Sequence, residues 1–266
     1  MTKQISKTIK VELILVKLNL QTLFAYRLNT LLIFLGSGFY NIGMVLFITF
    51  IFTKIPLLTG WDKWDLMLMY GIGQIFAYLY FFSTYLNIAH FHKKIDTGFF
   101  DFFLTKPVNS LIYSTLHHFS FESLIGMVQA WTIIAYALGN KSFQINIIGI
   151  IIAILSLAIT LGIVHSLNVL TVIPNFWSIR SRFDRFFGNT ANLANYPYEI
   201  FDNKITKFIF FIILPYALLI NIPFRAIIGK LDYRLFFLQI AVCIGFIFIT
   251  NKLWKLGVKN YASASS

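Results

Sequence analysis

Charged residues are scarce in this chain of 266 residues, at 12% of the sequence, whereas hydrophobic residues make up 58%. A soluble domain carries about 25% charged residues, so the composition excludes an ordinary soluble globular protein. It predicts an integral membrane protein with little mass outside the bilayer. Cys243 is the only cysteine, and this excludes an intrachain disulfide.

Sequence motifs for chemistry are also scarce. The glycine-rich phosphate loop that ends in Gly-Lys-Ser or Gly-Lys-Thr is missing, so this chain carries no P-loop ATPase. Five histidines are too few for the histidine clusters of membrane di-iron enzymes. Asp62 and Asp65 have the spacing of a two-carboxylate magnesium site, but they occur once, and a solvated turn explains them better. We therefore expect no catalytic residue, no metal and no cofactor bound by this chain.

Five apolar segments are long enough to form membrane-spanning helices, each of which needs about 20 residues. They lie at about residues 31–52, 66–89, 115–138, 145–173 and 233–254. Glu122 lies within the third segment, and two roles are open for it. It is either a functional acid inside the membrane or a carboxylate near a helix end that reaches the interface.

The stretch from 174 to 230 allows two interpretations. In the first, residues 174–204 form a cytoplasmic loop and residues 205–229 are the fifth span. In the second, residues 176–195 are the fifth span, and residues 205–229 form a re-entrant element broken by Pro215 and Pro223. Backbone groups freed by proline at membrane depth are tolerated where protein covers them. Both interpretations give six spans with both termini on one side.

The basic residues favour a cytoplasmic N-terminus. Most of the 22 lysines and arginines lie in segments that this orientation places inside. The net charge of +12 is then explained by membrane orientation, and we expect no nucleic-acid partner. Residues 5–27 mix lysines with apolar residues at helical spacing. They are predicted to form an amphipathic helix on the inner membrane face, the alternative being an extension of the first span.

The loop between the second and third predicted spans, HKKIDTGFFDFFLTKPVNS, covers residues 92–110. Asp96 or Thr97 is predicted to cap a short helix, and Pro107 is predicted to end it. The phenylalanines of this helix would be costly to expose to the cytosol. We expect them to be buried in the protein itself, in the membrane interface or in a docked subunit.

The loop resembles a pattern of ABC-2-type ABC transporter permeases, Ile-x-x-Gly-x-x-Asp-x-x-Leu-x-Lys-Pro-x-Asn, found between their second and third spans. Four further segments are similar to that family. They are FAYRLNTLLIF, GWDKWDLMLMYG, ANYPYEIFDNKITKFIFFIILPYALLINIPFRAIIG and WKLGVKNYASASS. The chain departs from the pattern at Phe100, where the family commonly has leucine.

The resemblance implies the second interpretation. The protein is then all-α, with six spans, cytoplasmic termini and an outer re-entrant element at 205–229 that contains Pro215 and Pro223 and follows shortly after Pro197. It implies one permease domain over residues 1–266 in a bacterial-type cytoplasmic membrane. The loop would be the coupling helix, and its implied coupling residues are Ile95, Gly98, Phe99, Phe100, Asp101, Phe103, Leu104, Lys106 and Pro107.

The resemblance also implies partners. Two P-loop ABC ATPase subunits would carry ATP and Mg²⁺, and a second permease copy, identical or related, would complete a dimer. Export is the implied direction, and the substrate is left open. Small residues from Gly36 to Gly43 are predicted to form part of the contact between copies, the alternative being packing within one copy. A stand-alone channel or ion-coupled carrier is the alternative function, and it should show charges or broken helices near the midplane.

Overall fold

The computed structural model describes residues 27–177 and 191–261. In these ranges the chain forms helices joined by short loops and contains no β-strand, which confirms the predicted all-α class there. Two predictions lie outside the described residues. These are the N-terminal interfacial helix and the central part of the predicted fifth span, residues 178–190.

The helices are numbered here in chain order within the described ranges. They are α1 (Arg27–Lys54), α2 (Lys63–Asp96), α3 (Phe100–Leu104), α4 (Ser110–Leu116), α5 (Glu122–Asn140), α6 (Ile147–Phe176), α7 (Lys204–Ile213), α8 (Tyr216–Ile227) and α9 (Tyr233–Asn260). A π-helical turn interrupts α2 at Phe81–Tyr85, and another ends α7 at Ile209–Ile213. Two short 3₁₀ turns, Ala191–Asn195 and Tyr198–Ile200, precede α7.

Four of the described helices, α1, α2, α6 and α9, are long and apolar enough to cross a membrane. The pair α7 and α8 is bent by 67° and would add a fifth crossing only if it formed one span. The predicted total of six includes residues 176–195, whose central residues are not described. The number of spans and their topology therefore stay predictions.

The segment predicted as the third span, 115–138, is divided between two helices. In the structure α4 ends at Leu116 and α5 begins at Glu122. The residues between them are held out of a helix by α2, because the amide of Ser120 donates to the carbonyl of Phe82 and Asn87 bonds to both the amide and the carbonyl of His118. The predicted third span therefore corresponds mainly to the 19-residue α5, which is not one of the four described helices that are long and apolar enough to cross a membrane.

The helices place the loop between α2 and α4 at one end of the molecule. The same end holds Phe176 at the end of α6 and Trp254 near the end of α9, both packed against this loop. We call it the loop end. At the opposite end, Lys141 after α5 donates to Asp62 and Asp65 at the start of α2, at 2.8 and 2.7 Å. The loop and the end of α9 thus lie on one side, as the predicted orientation requires.

The start of α2 is a capping box. The side chain of Asp62 accepts from the amides of Trp64 and Asp65, and the side chain of Asp65 accepts from the amide of Asp62. The two acids predicted to lie on a solvated turn therefore cap the N-terminus of α2. They also connect this end of α2 to Lys141, which directly follows α5. Close approach of α2 and α5 also needs Gly71, because a side chain there would overlap Ile134.

Candidate functional site

The predicted coupling loop begins where α2 ends. α2 continues to Asp96, about two turns past the predicted end at residue 89. Gly98 then reverses the chain with φ +70°, in the left-handed region that favours glycine. The amide and hydroxyl of Thr97 both bond to the carbonyl of Lys93, so Thr97 closes α2. The predicted cap by Asp96 or Thr97 is wrong, because Asp96 is still helical and Phe99 precedes α3 without a side-chain cap.

The short helix α3 has two distinct aromatic faces. Phe99 and Phe102 are 52% and 43% exposed, and their rings stack with centroids 5.6 Å apart. Lys106 covers this pair, its ammonium lying 4.4 Å from the centre of the Phe102 ring. We call Phe99 and Phe102 the outer aromatic pair.

Phe100 and Phe103 form the other face, and both are fully buried. The ring of Phe100 lies 5.2 Å from Phe176 of α6 and 5.9 Å from Trp254 of α9. It also lies 5.7 Å from Phe91 of α2. We call Phe91, Phe100, Phe103, Phe176 and Trp254 the aromatic anchor. A displacement of α3 must therefore displace the loop ends of α2, α6 and α9, because these rings are close-packed.

The other predicted coupling residues occupy both faces of the loop. Ile95 is buried beneath α3, Asp101 is half-buried, and Leu104, Lys106 and Pro107 are exposed. The helix ends at Leu104, three residues before Pro107. Sequence patterning alone did not separate the buried phenylalanines from the exposed ones, because four of the five residues at 99–103 are phenylalanine.

His117 lies under α3, with its ring 5.0 Å from that of Phe103. Burial and, to a smaller extent, the neighbouring charge of Lys94 together lower the pKa of His117 to about 4, against weaker opposing hydrogen bonds. The imidazole is therefore neutral at physiological pH. The position of this histidine in the sequence indicates only an interfacial residue near a helix end.

α7 and α8 meet at the turn Leu214–Pro215. Pro197, Pro215 and Pro223 are all buried. Pro223 has no N–H to donate to the carbonyl of Leu219, four residues earlier. The hydroxyl of Thr160 on α6 donates to that carbonyl instead, at 2.9 Å. Protein thus covers the backbone group that proline frees, as the re-entrant interpretation needs.

Gln239 of α9 completes this polar contact. Its amide donates to Thr160 at 2.9 Å, and its carbonyl oxygen accepts from Ser156 at 2.8 Å. Gln239, Thr160 and Ser156 are all fully buried. The bent pair is therefore fixed to α6 and α9 by a hydrogen-bonded cluster that the sequence analysis did not identify.

A buried cation lies near the C-terminal end of α8. Arg225 is 7% exposed and donates to Glu199. Its guanidinium also lies 4.0 Å from the Tyr198 ring centre and 4.7 Å from that of Trp61. Asn221 bonds to the carbonyl of Tyr196 and the amide of Tyr198. These contacts hold residues 196–200 on α8.

Glu122 is the first residue of α5 and is half-buried, so it lies at a helix end near the loop end. Asn41 and Gln129, by contrast, lie well inside their helices and are joined at 2.7 Å, with the hydroxyl of Tyr70 donating to Asn41 at 2.7 Å. Lone amides in apolar segments were the signal for both. Within residues 27–177 and 191–261, no three His, Cys, Asp or Glu side chains are grouped to hold a metal ion.

One comparison with known proteins gives a match. The family described as "ABC-2 family transporter protein" matches residues 39–265, a range that holds the predicted coupling loop, the bent pair and every described helix apart from the first turns of α1. No curated protein and no solved structure matches the chain.

Proposed function

This chain belongs to the ABC-2 family of transporter proteins, and from that premise we propose that it is the permease subunit of an ABC exporter. In this proposal ATP and Mg²⁺ are bound by separate P-loop ATPase subunits, two per transporter. The permease lies in a bacterial-type cytoplasmic membrane, with the loop end in the cytoplasm.

The outer aromatic pair carries the proposal. Two stacked phenylalanine rings exposed outside the membrane forgo about 25 cal/mol for each Å² of apolar surface left in water. An apolar groove on an ATPase subunit would bury them, and Lys106 beside Phe102 would lie at the rim of that contact. The aromatic anchor on the reverse face then links the docked helix to α2, α6 and α9.

The outward face of α1 supports a second permease copy. A β-carbon added at Gly36 or Gly43 would have no atom within 4 Å, whereas Gly38 faces Gln129 inside the same chain. Gly36, Phe39 and Gly43 therefore share an outward face with large exposed side chains. We propose that this face contributes to a contact with an identical or related permease, and that the substrate passes between the two copies.

An ion-coupled carrier is less well supported. Such a protein needs ionisable groups or open backbone near the midplane. Glu122 lies at the start of α5, and the carbonyl freed by Pro223 is bonded to Thr160. The observations therefore favour a rigid re-entrant element over an ion site.

Copurification tests the proposal. The tagged chain, solubilised from its own membranes, is expected to retain an ABC ATPase identified by mass spectrometry. The double variant Phe99→Ser with Phe102→Ser should lose that subunit, because the apolar docking contact is gone. Phe119→Ser, an exposed phenylalanine that stacks on Phe82 outside α3, is the control and should retain it. Equal retention in both variants would refute docking through α3.

A further inference from the structure

Lys94 is a half-buried cation near the cytoplasmic end of α2. Within the described residues no salt bridge joins it to a carboxylate. Its ammonium donates to the carbonyl of Ser114 at 2.8 Å and to the carbonyl of Asn87 at 3.3 Å. A lysine in this position is costly unless its hydrogen bonds serve the structure or the function.

The carbonyl of Ser114 is a group that α4 cannot satisfy. In a continuing helix it would accept from the amide of His118, four residues later. That amide instead bonds to the side chain of Asn87, at 3.3 Å. Lys94 therefore supplies the missing donor at the C-terminal end of α4, where a positive charge is also favoured by the helix dipole.

Asn87 makes the second half of this contact. Its amide donates to the carbonyl of His118 at 2.8 Å, and Asn87 is 2% exposed. Lys94 and Asn87, about two turns apart on α2, thus hold the end of α4 from two positions. We call Lys94, Asn87 and the carbonyl of Ser114 the α2–α4 clasp.

The clasp lies directly under the coupling helix. The ammonium of Lys94 is 5.2 Å from the centre of the buried Phe103 ring, within the range of a cation–π contact. Phe103 belongs to α3, and its neighbour Phe102 is in the outer aromatic pair. A single side chain therefore touches α3 while bonding α2 to α4.

From this geometry we infer that Lys94 is a positioning residue that transmits displacement of α3 to α2. The inference rests on the proposed function, since it assigns the route by which an ATPase bound at α3 would move a span. Lys93, the adjacent residue, has the same charge but is exposed. It provides a matched control.

The test uses the complex of the full chain with its ATPase, in membranes, in a Cys243→Ala background. A cysteine in place of Leu57, which is exposed between α1 and α2 at the opposite end, reports on α2 through its rate of labelling by a maleimide. In the wild-type background we expect ATP to change that rate. Lys94→Met should reduce the change while leaving ATPase association intact, because the apolar stem is kept, the ammonium is lost, and only the aromatic anchor still links α3 to α2.

Lys93→Met and Lys94→Arg are expected to keep the response, the second because a guanidinium still donates to Ser114. A labelling response in Lys94→Met equal to that of the wild type would overturn the inference. Loss of ATPase association in that variant would also overturn it, because Lys94 would then be part of the contact with the ATPase. If Lys94→Met does not accumulate, Phe103→Leu removes the ring over the ammonium, and an undiminished response there would overturn the inference equally. Failure of the unaltered chain to bind any ATPase would refute the proposed function instead.

Discussion

Phe102 and Phe103 are neighbours in sequence but have opposite roles in the structure. Phe103 is 1% exposed and packs in the aromatic anchor, whereas Phe102 is 43% exposed and stacks on Phe99. From the sequence alone, Phe99→Ser with Phe103→Ser would be a reasonable test of docking. In the structure this double variant would change one exposed and one buried side chain at once. The structure separates the two effects.

We expect Phe103→Ala to destabilise the protein by about 3–5 kcal/mol, the usual cost of emptying a large buried aromatic site. Phe102→Ala should change stability by less than about 0.5 kcal/mol, as surface substitutions do. Unfolding of the purified chain in mixed detergent micelles measures both. Equal stability of the two variants would contradict the burial of Phe103.

His117 makes stability depend on pH. Its pKa is about 4 in the folded protein against an ordinary value of 6.5, so the unfolded chain binds the proton more readily. Stability should therefore be constant for this group above pH 6.5 and fall as the pH drops from 6.5 towards 4. We expect the thermal midpoint to fall less between pH 7.5 and 5.0 in His117→Gln than in the unaltered chain.

The exposed His90 supplies the control for that comparison, since His90→Gln makes the same replacement outside the buried site. Comparing variants at the same two pH values cancels the contribution of the carboxyl groups. A pH dependence in His117→Gln as large as that of the unaltered chain would show that His117 is not responsible.

At the scale of helices, apolar length predicted where most helices lie but not where they end. The predicted segments at 31–52, 145–173 and 233–254 correspond to α1, α6 and α9, each somewhat longer in the structure. α2 runs on to Asp96 and α5 begins only at Glu122. The start of α5 depends on Asn87, which bonds to His118 thirty-one positions away, and a contact between distant residues leaves no local pattern.

The candidate site was predictable to a similar extent. The family pattern identified the loop, and Gly98 and Pro107 lie at its turns. Which phenylalanines of α3 belong to the outer aromatic pair and which to the aromatic anchor depends on contacts with Phe176 and Trp254, which lie on other helices. Lys94, Arg225 and Gln239 were missed for the same reason, because a buried polar side chain is recognised by its partners rather than by its own position in the sequence.

The α7–α8 pair supports a topological prediction. Asn203 is exposed and caps α7, accepting from the amide of Ile205 at 3.0 Å. If residues 205–229 re-enter from outside, a cysteine at Asn203 in a Cys243→Ala background should react with an impermeant maleimide on intact cells. Protection of that cysteine until the cells are lysed would restore the interpretation in which residues 174–204 are cytoplasmic.

At the scale of the whole molecule, α1 is the least enclosed of the four described helices that are long enough to cross a membrane. Only 11% of its most apolar segment is buried. Asn41 and Ile48 are its buried residues, and its exposed face is available to lipid or to a second copy. In lipid, polar contacts such as that of Asn41 with Gln129 hold helices together at about 0.6–2 kcal/mol each. A second copy would supply further contact along α1.

A cysteine scan of α1 tests the second copy. In a Cys243→Ala background, cysteines at Gly36, Phe39 and Gly43 should form disulfide-linked dimers in membranes, because they share the outward face. Cysteines at Gly38 and Asn41 should not, because these positions face α5 and α2 of the same chain. Uniform cross-linking at all five positions, or none, would argue against this face.

The central claim is that α3 is where an ABC ATPase binds. A photoreactive phenylalanine analogue in place of Phe102, irradiated in native membranes, tests it most directly, with the same analogue in place of the exposed Phe237 on the apolar span α9 as the control. The account predicts a cross-link from position 102 to a P-loop ATPase, and from position 237 no such cross-link. Labelling of the ATPase from both positions or from neither, in a chain that is correctly inserted, would contradict it.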